Sequence, residues 1–181
     1  MSTSPLLLHS APAAGFDQPF EMLDACHERV RRMLRLLERL QQHLVEHGTD
    51  AAAREAATDV MRYFDRAGPE HHEDEERHLV PRLAASADAS MRGLVNRLQD
   101  DHQAMERQWL RLRVDLLAVR ADQPAPAEAP ARWAAFVALY GAHLEAEDTL
   151  AYPAARALVA PHEDAAIGRE MAGRRGVPPP R

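Results

Sequence analysis

The segment HHEDEERHLVP, residues 71–81, organises the chain because a second copy occurs later as HLEAEDTLAYP, residues 143–153. When Pro81 is set over Pro153, both copies contain a His-x-x-x-Glu pair at the same distance from the proline. Residues four apart lie above one another on one face of a helix, so each copy directs an imidazole and a carboxylate to a single point. The repeat therefore predicts two helices that contribute ligands to a metal site.

Apolar residues recur at intervals of three and four along four segments, as expected of amphipathic helices that face a common core. The predicted core-facing positions are, helix by helix, Phe20, Leu23, His27, Val30, Leu34, Leu37, Gln41 and Leu44; Ala56, Val60, Phe64, His71, Glu75 and Leu79; Met91, Leu94, Leu98, His102, Met105, Trp109, Leu112, Leu116 and Val119; and Trp133, Phe136, Tyr140, His143, Glu147, Leu150 and Ala154. Gly48 is predicted to end the first helix, and Gly68-Pro69 to kink the second. The pattern predicts an all-α, antiparallel up-down-up-down four-helix bundle.

The boundaries of this bundle follow from the flanking composition. We predict a flexible leader over residues 1–16, the four-helix bundle over residues 17–160, and a short C-terminal helix followed by a mobile tail over residues 161–181. A Pro/Ala-rich linker at residues 122–130 separates the third helix from the fourth, because such a sequence is extended and cannot continue a helix.

The overall composition narrows the class of protein. Aromatic residues make up only 5% of the 181 residues and glycines number 8, which favours helices over strands in a soluble globular domain. The net charge of -6 argues against nucleic acid or an anionic membrane as a partner. The single cysteine, Cys26, excludes an internal disulfide and fits a reducing compartment. Because the apolar run at residues 6–8 lacks a basic segment before it, we predict no secretory signal and expect a cytoplasmic protein.

Six polar residues of the four stripes are predicted to share one layer of the bundle. At a rise of about 1.5 Å per residue, all six lie roughly 13 to 24 Å from the same end of the molecule. They are His27, His71, Glu75, His102, His143 and Glu147.

A lone histidine in an apolar stripe is more often a core residue than a ligand. Two inward carboxylates, however, would each cost several kcal/mol if left unpaired, and a cation offsets that cost. Imidazole with carboxylate suits iron, manganese or zinc, and two shared carboxylates can bridge a pair of ions.

This order of residues, His, His-x-x-x-Glu, His, His-x-x-x-Glu with a proline after each copy, resembles the hemerythrin family, in particular the bacterial hemerythrin-like or HHE cation-binding domains. The resemblance covers roughly residues 18–160. It implies a non-haem di-iron centre in a four-helix bundle, with two iron ions bridged by Glu75, Glu147 and an oxo or hydroxo group. The family's histidine ligands match His27, His71, His102 and His143.

One position departs from the pattern of the oxygen-carrying hemerythrins, which have a second histidine four residues after the third-helix ligand. Glu106 stands at that position. We predict that Glu106 is a further metal ligand, which would weaken simple reversible oxygen binding; the alternative is a side chain turned toward an arginine between helices. His72 and Glu76 form another pair four apart, one residue out of register, and are expected on a flank, as partners of the ligands or as alternates. Tyr140, one turn before His143, is expected to pack and also to be a candidate hydrogen-bond partner near the metals.

The resemblance implies a metal-binding protein whose di-iron centre binds or senses oxygen, peroxide or nitric oxide; manganese or zinc stays possible in place of iron. Glu106 keeps open a di-iron enzyme that turns over peroxide or reduces nitric oxide. A third hypothesis is a regulatory protein in which iron or oxygen changes the stability of the bundle, and a protein partner recognises that change. The expected partners are therefore a small diatomic or peroxide ligand, and the basic tail from Arg174 is more simply a solvated segment than a docking element.

Overall fold

The computed structural model describes residues 15–178, so residues 1–14 of the predicted leader and residues 179–181 of the predicted tail lie outside the described residues. The α-helices, in chain order, are α1 (Pro19–His47), α2 (Ala51–Arg62), α3 (Gly68–His78), α4 (Val80–Ala84), α5 (Ala89–Arg120), α6 (Ala129–Ala146), α7 (Tyr152–Leu158) and α8 (Pro161–Arg174). One π-helical turn, Tyr63–Ala67, joins α2 to α3, and a second, Glu147–Ala151, joins α6 to α7. Within residues 15–178 there is no strand, in agreement with the all-α prediction.

The ends of the long helices are set by local capping. Gly48 follows α1 with φ of 72°, a left-handed conformation that glycine adopts without strain. Asp50 accepts a hydrogen bond from the backbone N–H of Ala53 at 2.8 Å and so caps α2. Asp88 likewise accepts from the backbone N–H of Ser90 at 2.8 Å, at the start of α5. These caps satisfy N–H groups that have no partner inside their own helix.

Four helical segments pack side by side: α1, α2 with α3, α5, and α6 with α7. Helix α1 contacts α2 and α6, and helix α5 contacts the same two helices. The inward residues form two separate apolar clusters. The first cluster includes Leu37 and Trp133, and the second includes Leu83 and Ile167. No helix within residues 15–178 is both long enough and apolar enough to cross a bilayer.

The six polar residues of the predicted layer lie between the two apolar clusters. On α1, His27 lies between Leu23 of the second cluster and Val30 of the first. On α5, His102 lies between Leu98 of the second cluster and Met105 of the first. Along α1 and α5 the chain thus runs from the second cluster to the first. Along α2–α3 and α6–α7 it runs from the first cluster to the second. Apolar packing therefore encloses the polar layer from both ends and keeps water away from it.

The second π-helical turn changes which residues face the core at the end of the fourth segment. The sequence period predicts Leu150 and Ala154 inside. Leu150 is 54% exposed, Ala154 is partly buried against the second cluster, and Ala151, Tyr152 and Ala155 are buried. The prediction for Leu150 was wrong because a π-helical turn holds more residues than an α-helical turn, so the following positions rotate out of the α-helical period. As a result Tyr152 points into the interior.

Helix α8 is fastened to α3 by ion pairs with a buried carboxylate. Asp74, between His71 and Glu75 in sequence, accepts from Arg174 and, at 2.6 and 3.0 Å, from Arg175. Arg174 and Arg175, which the sequence analysis assigned to the tail, therefore pair with the helix that carries the first copy of the repeat.

The different burial of two leucines on α5 gives a direct test of the packing. Leu112 is fully buried in the first apolar cluster, so Leu112→Ala should lower the free energy of unfolding by about 2–5 kcal/mol through lost burial and the cavity it leaves. Leu110, on the same helix, is 61% exposed, and Leu110→Ala should change it by no more than about 0.5 kcal/mol. Urea denaturation of both variants measures the difference. Equal midpoints for the two would contradict the packing described.

Candidate metal centre

The structure brings six of the predicted residues into two groups that share two members. The first group consists of His27, His71, Glu75 and Glu147, and the second of Glu75, His102, His143 and Glu147. Within each group, one ligand atom from every residue lies within 4.8 Å of the others, and all six residues are buried. Glu75 and Glu147 belong to both groups, so the arrangement has the form of two cation positions joined by two carboxylates.

Three of the four imidazoles are oriented by a second carboxylate. His27 donates from Nδ1 to Asp148 at 2.7 Å, and His102 donates from Nδ1 to Glu76 at 2.8 Å. The third such contact runs from Nδ1 of His143 to a carboxylate oxygen of Asp101, at 3.3 Å. A proton held on Nδ1 leaves the lone pair on Nε2, which faces the centre. Metal-binding histidines are commonly oriented in this way by a carboxylate.

Each of these supporting carboxylates adjoins a member of the two groups in the sequence. Glu76 follows Glu75, Asp148 follows Glu147, and Asp101 precedes His102. In every case the acidic neighbour of a group member on one helix supports a histidine on another helix. The sequence analysis overlooked Asp101 and Asp148, although an acidic residue next to a predicted ligand was a signal that could have found them.

Several donor atoms in the centre lack a well-placed partner, and a cation would supply one. Nε2 of His102 lies 3.1 Å from Nε2 of His143, so at most one of these two nitrogens carries a proton in this contact. Among the described residues, Glu75 Oε2 and Glu147 Oε2 are buried and have no well-aligned hydrogen bond, although each lies near an imidazole nitrogen, 3.4 Å from His102 Nε2 and 3.2 Å from His27 Nε2 respectively. Buried oxygens and lone pairs of this kind ordinarily have a partner. Nitrogen and carboxylate oxygen donors in this number fit iron, manganese or zinc.

The carboxylate of Glu75 attracts positive charge, either from protonated imidazoles or from a cation. Burial opposes ionisation of Glu75, but the surrounding imidazoles, with His71 foremost, hold its pKa well below the usual range. Burial also opposes protonation of His27, yet hydrogen bonds to Glu147 and Glu75 prevail and raise the pKa of His27 to about 10. Burial likewise opposes protonation of His102, but the contact with Glu75 prevails and raises the pKa of His102 to about 9. The ionised carboxylate of Glu75 thus stabilises positive charge on neighbouring groups in the buried interior.

Comparison with known proteins agrees with this geometry. Residues 18–166 match the hemerythrin HHE cation-binding domain. The chain belongs to this family. The HHE domain is also similar to an uncharacterized protein of Haemophilus influenzae, with 32% identity over 117 residues that cover 65% of this chain and 67% of that protein. The match spans all six residues of the two groups, so the metal-binding character expected from the sequence agrees with the family.

Glu106 lies apart from the two groups of the HHE domain. Its side chain is exposed and lines a cavity of about 410 Å³ whose wall also includes His72, Glu76, His102 and Trp109. The ring of His72 stacks on that of His102, with centroids 4.2 Å apart and an interplanar angle of 17°. The cavity therefore reaches the second group from outside, and ligation by Glu106 stays a prediction.

Tyr152 is the interior residue that the sequence analysis missed. Its hydroxyl donates to Glu75 Oε1 at 2.5 Å and lies 2.8 Å from His27 Nε2. Tyr140, the tyrosine expected near the metals, instead lines the cavity and packs on Phe136. The π-helical turn after Ala146 accounts for the difference, because it rotates Tyr152 inward.

The supporting carboxylates give the centre a testable property. Asp148→Ala removes the acceptor of His27 Nδ1, and loss of such a partner typically lowers metal affinity 10- to 100-fold. Competition between the protein and a chelator for iron(II), under anaerobic conditions, measures the change. Glu28→Ala is the matched control because Glu28 is exposed and bonds the same Arg31 that also contacts Asp148. An unchanged affinity in Asp148→Ala would show that this contact does not orient a ligand.

Proposed function

We propose that this HHE domain is a metal-binding protein with a non-haem di-iron centre that binds or senses oxygen, peroxide or nitric oxide. The observation that carries the proposal is the sharing of Glu75 and Glu147 by both groups of buried residues. In this assignment His27 and His71 would hold the first ion, His102 and His143 would hold the second, and Glu75 and Glu147 would supply donors to both. Paired carboxylate bridges with histidine ends are a donor set of di-iron helical proteins.

Iron is favoured over zinc by the enclosure of the site. When bound, an iron pair supplies a reversible change between ferrous and ferric states, and a redox-active pair needs protection from solvent. The two apolar clusters on either side of the polar layer provide that protection. Manganese fits the same donors. Because the single cysteine fits a reducing compartment, we place this function in the cytoplasm.

The scaffold we propose for the centre is an antiparallel up-down-up-down four-helix bundle. The support for it is the order in which the segments pass the clusters. The chain runs from the second cluster to the first along α1 and α5, and from the first to the second along α2–α3 and α6–α7. Alternation of this kind places a repeated ligand pair at the same height on two helices.

The two ion positions differ in access. The cavity touches His102 of the second group, whereas the first group is covered by Tyr152 and by the α1 side chains around His27. A small ligand therefore approaches the second position. On that side Glu76 holds His102 in place, and Gln99 in turn donates to Glu76 at 2.9 Å. These contacts keep Nε2 of His102 directed at the ion while a ligand enters.

Iron loading tests the proposal directly. Under anaerobic conditions the full chain should take up two iron ions, and admission of oxygen should produce the absorption of a bridged di-ferric pair. Glu147→Ala should bind less than one ion per chain because it removes a donor from both positions. Glu145→Ala, an exposed position on the same helix, should bind as much as the wild type. Metal analysis that finds well under one ion in the wild type would exclude the proposal.

A second candidate function is an enzyme that turns over peroxide, favoured by the carboxylate of Glu106 on the cavity wall. A carboxylate there can accept and return a proton beside the second ion position. Iron-loaded protein should then remove hydrogen peroxide faster than Glu75→Ala, and Glu106→Gln should slow the removal without loss of iron. Equal rates for wild type and Glu75→Ala would exclude this activity.

A further inference from the structure

Tyr152 places a phenol oxygen among the donor atoms of the first group. Its Oη lies 2.5 Å from Glu75 Oε1 and 2.8 Å from His27 Nε2, and both of these residues belong to that group. The ring of Tyr152 stacks on that of His27, with centroids 4.7 Å apart and an interplanar angle of 23°. The side chain is 2% exposed, so it is fixed in this position by packing. Its oxygen therefore faces the same point as the imidazole and the carboxylate.

We propose that Tyr152 is a fifth protein donor to the first ion position, which it binds through Oη as a phenolate. The inference rests on the proposed di-iron function and goes beyond it by making the two positions chemically unequal. Tyr152 loses the proton of its hydroxyl to solvent as the iron–oxygen bond forms, and no electron is transferred in this step. Phenolate oxygen is an established protein ligand of ferric iron.

The asymmetry has a cause in the two copies of the repeat. The counterpart of Tyr152, one residue before the proline of the first copy, is Val80, which is buried in the second apolar cluster. That side chain offers no donor, so the phenolate serves one ion position only. The second position instead adjoins the cavity next to His102. One ion is thus closed off by an extra anionic ligand, and the other is left accessible.

A bound cation determines whether the phenol ionises. Without one, the hydroxyl of Tyr152 donates to Glu75 Oε1 at 2.5 Å. A bound cation is the largest local charge in a site and favours the phenolate over the phenol. A hard anionic oxygen donor also favours the ferric over the ferrous state. Tyr152 should therefore lower the reduction potential of the ion it binds.

The test is vibrational and needs no turnover. The full chain is loaded with iron(II), exposed to oxygen and studied by resonance Raman spectroscopy with excitation in the visible absorption band. Vibrations of an iron-bound tyrosinate are expected in the wild type. Tyr152→Phe, which keeps the ring that stacks on His27, should lose these vibrations and the visible band at equal iron content, and its midpoint potential should rise. Tyr140→Phe, a buried tyrosine on the cavity wall, should retain both signals.

The outcomes separate this inference from the function on which it rests. Iron bound by the wild type without tyrosinate vibrations overturns the role of Tyr152 and leaves the di-iron proposal intact. Failure of the wild type to bind iron overturns both. If Tyr152→Phe does not fold, the wild-type spectrum alone still decides, because the vibrations either include tyrosinate modes or do not.

Discussion

The structure depends on two carboxylates, Glu75 and Glu147, that are ionisable and enclosed in the interior. A buried anion is stable only with positive charge or hydrogen-bond donors around it. Four imidazoles supply directed nitrogen atoms, and each comes from a different stretch of helix, so no single segment can complete the arrangement. The apolar clusters on both sides increase the need for such partners, because they exclude water that would otherwise screen the charge of the carboxylates. Because water is excluded, the two carboxylates must be compensated by other residues of the polar layer or by a cation.

The support of the histidines follows one pattern that recurs around the molecule. An acidic residue next to a member of the two groups on one helix accepts a hydrogen bond from a histidine on a neighbouring helix, as Glu76 does from His102 and Asp148 from His27. Three of the four segments thus contribute both a donor to the centre and an orienting group for another donor, whereas α1 contributes only His27. The C-terminal segment adds a further restraint, since Arg174 at the end of α8 and Arg175 directly after it pair with Asp74 beside Glu75. Positions of the ligand atoms consequently depend on contacts between helices rather than on any one helix.

The two halves of the repeat are not equivalent in the folded chain. In the second copy a π-helical turn, Glu147–Ala151, directly precedes the buried Tyr152, whereas in the first copy α3 ends at His78 and α4 begins at Val80. The phenol oxygen of Tyr152 lies beside the first group of buried residues, while the second group adjoins the cavity. A π-helical turn is thermodynamically costly and frequently marks a functional site. Tyr152 and its counterpart Val80 are both buried, so the two copies differ here because one side chain carries an oxygen donor and the other does not.

The sequence by itself determined the helical class, the stripes that face the core, and the six residues that meet in one layer, because the 3.6-residue period and the rise per residue are local properties of a helix. His27 and His102 were found in this way although neither belongs to the repeat. The tertiary structure alone decided what lies beside those six. The register after Glu147, the contact of Tyr152 with Glu75, the exposure of Glu106 and the pairing of Asp74 with the C-terminal arginines each depend on how one helix meets another, and periodicity along a single helix carries no such information.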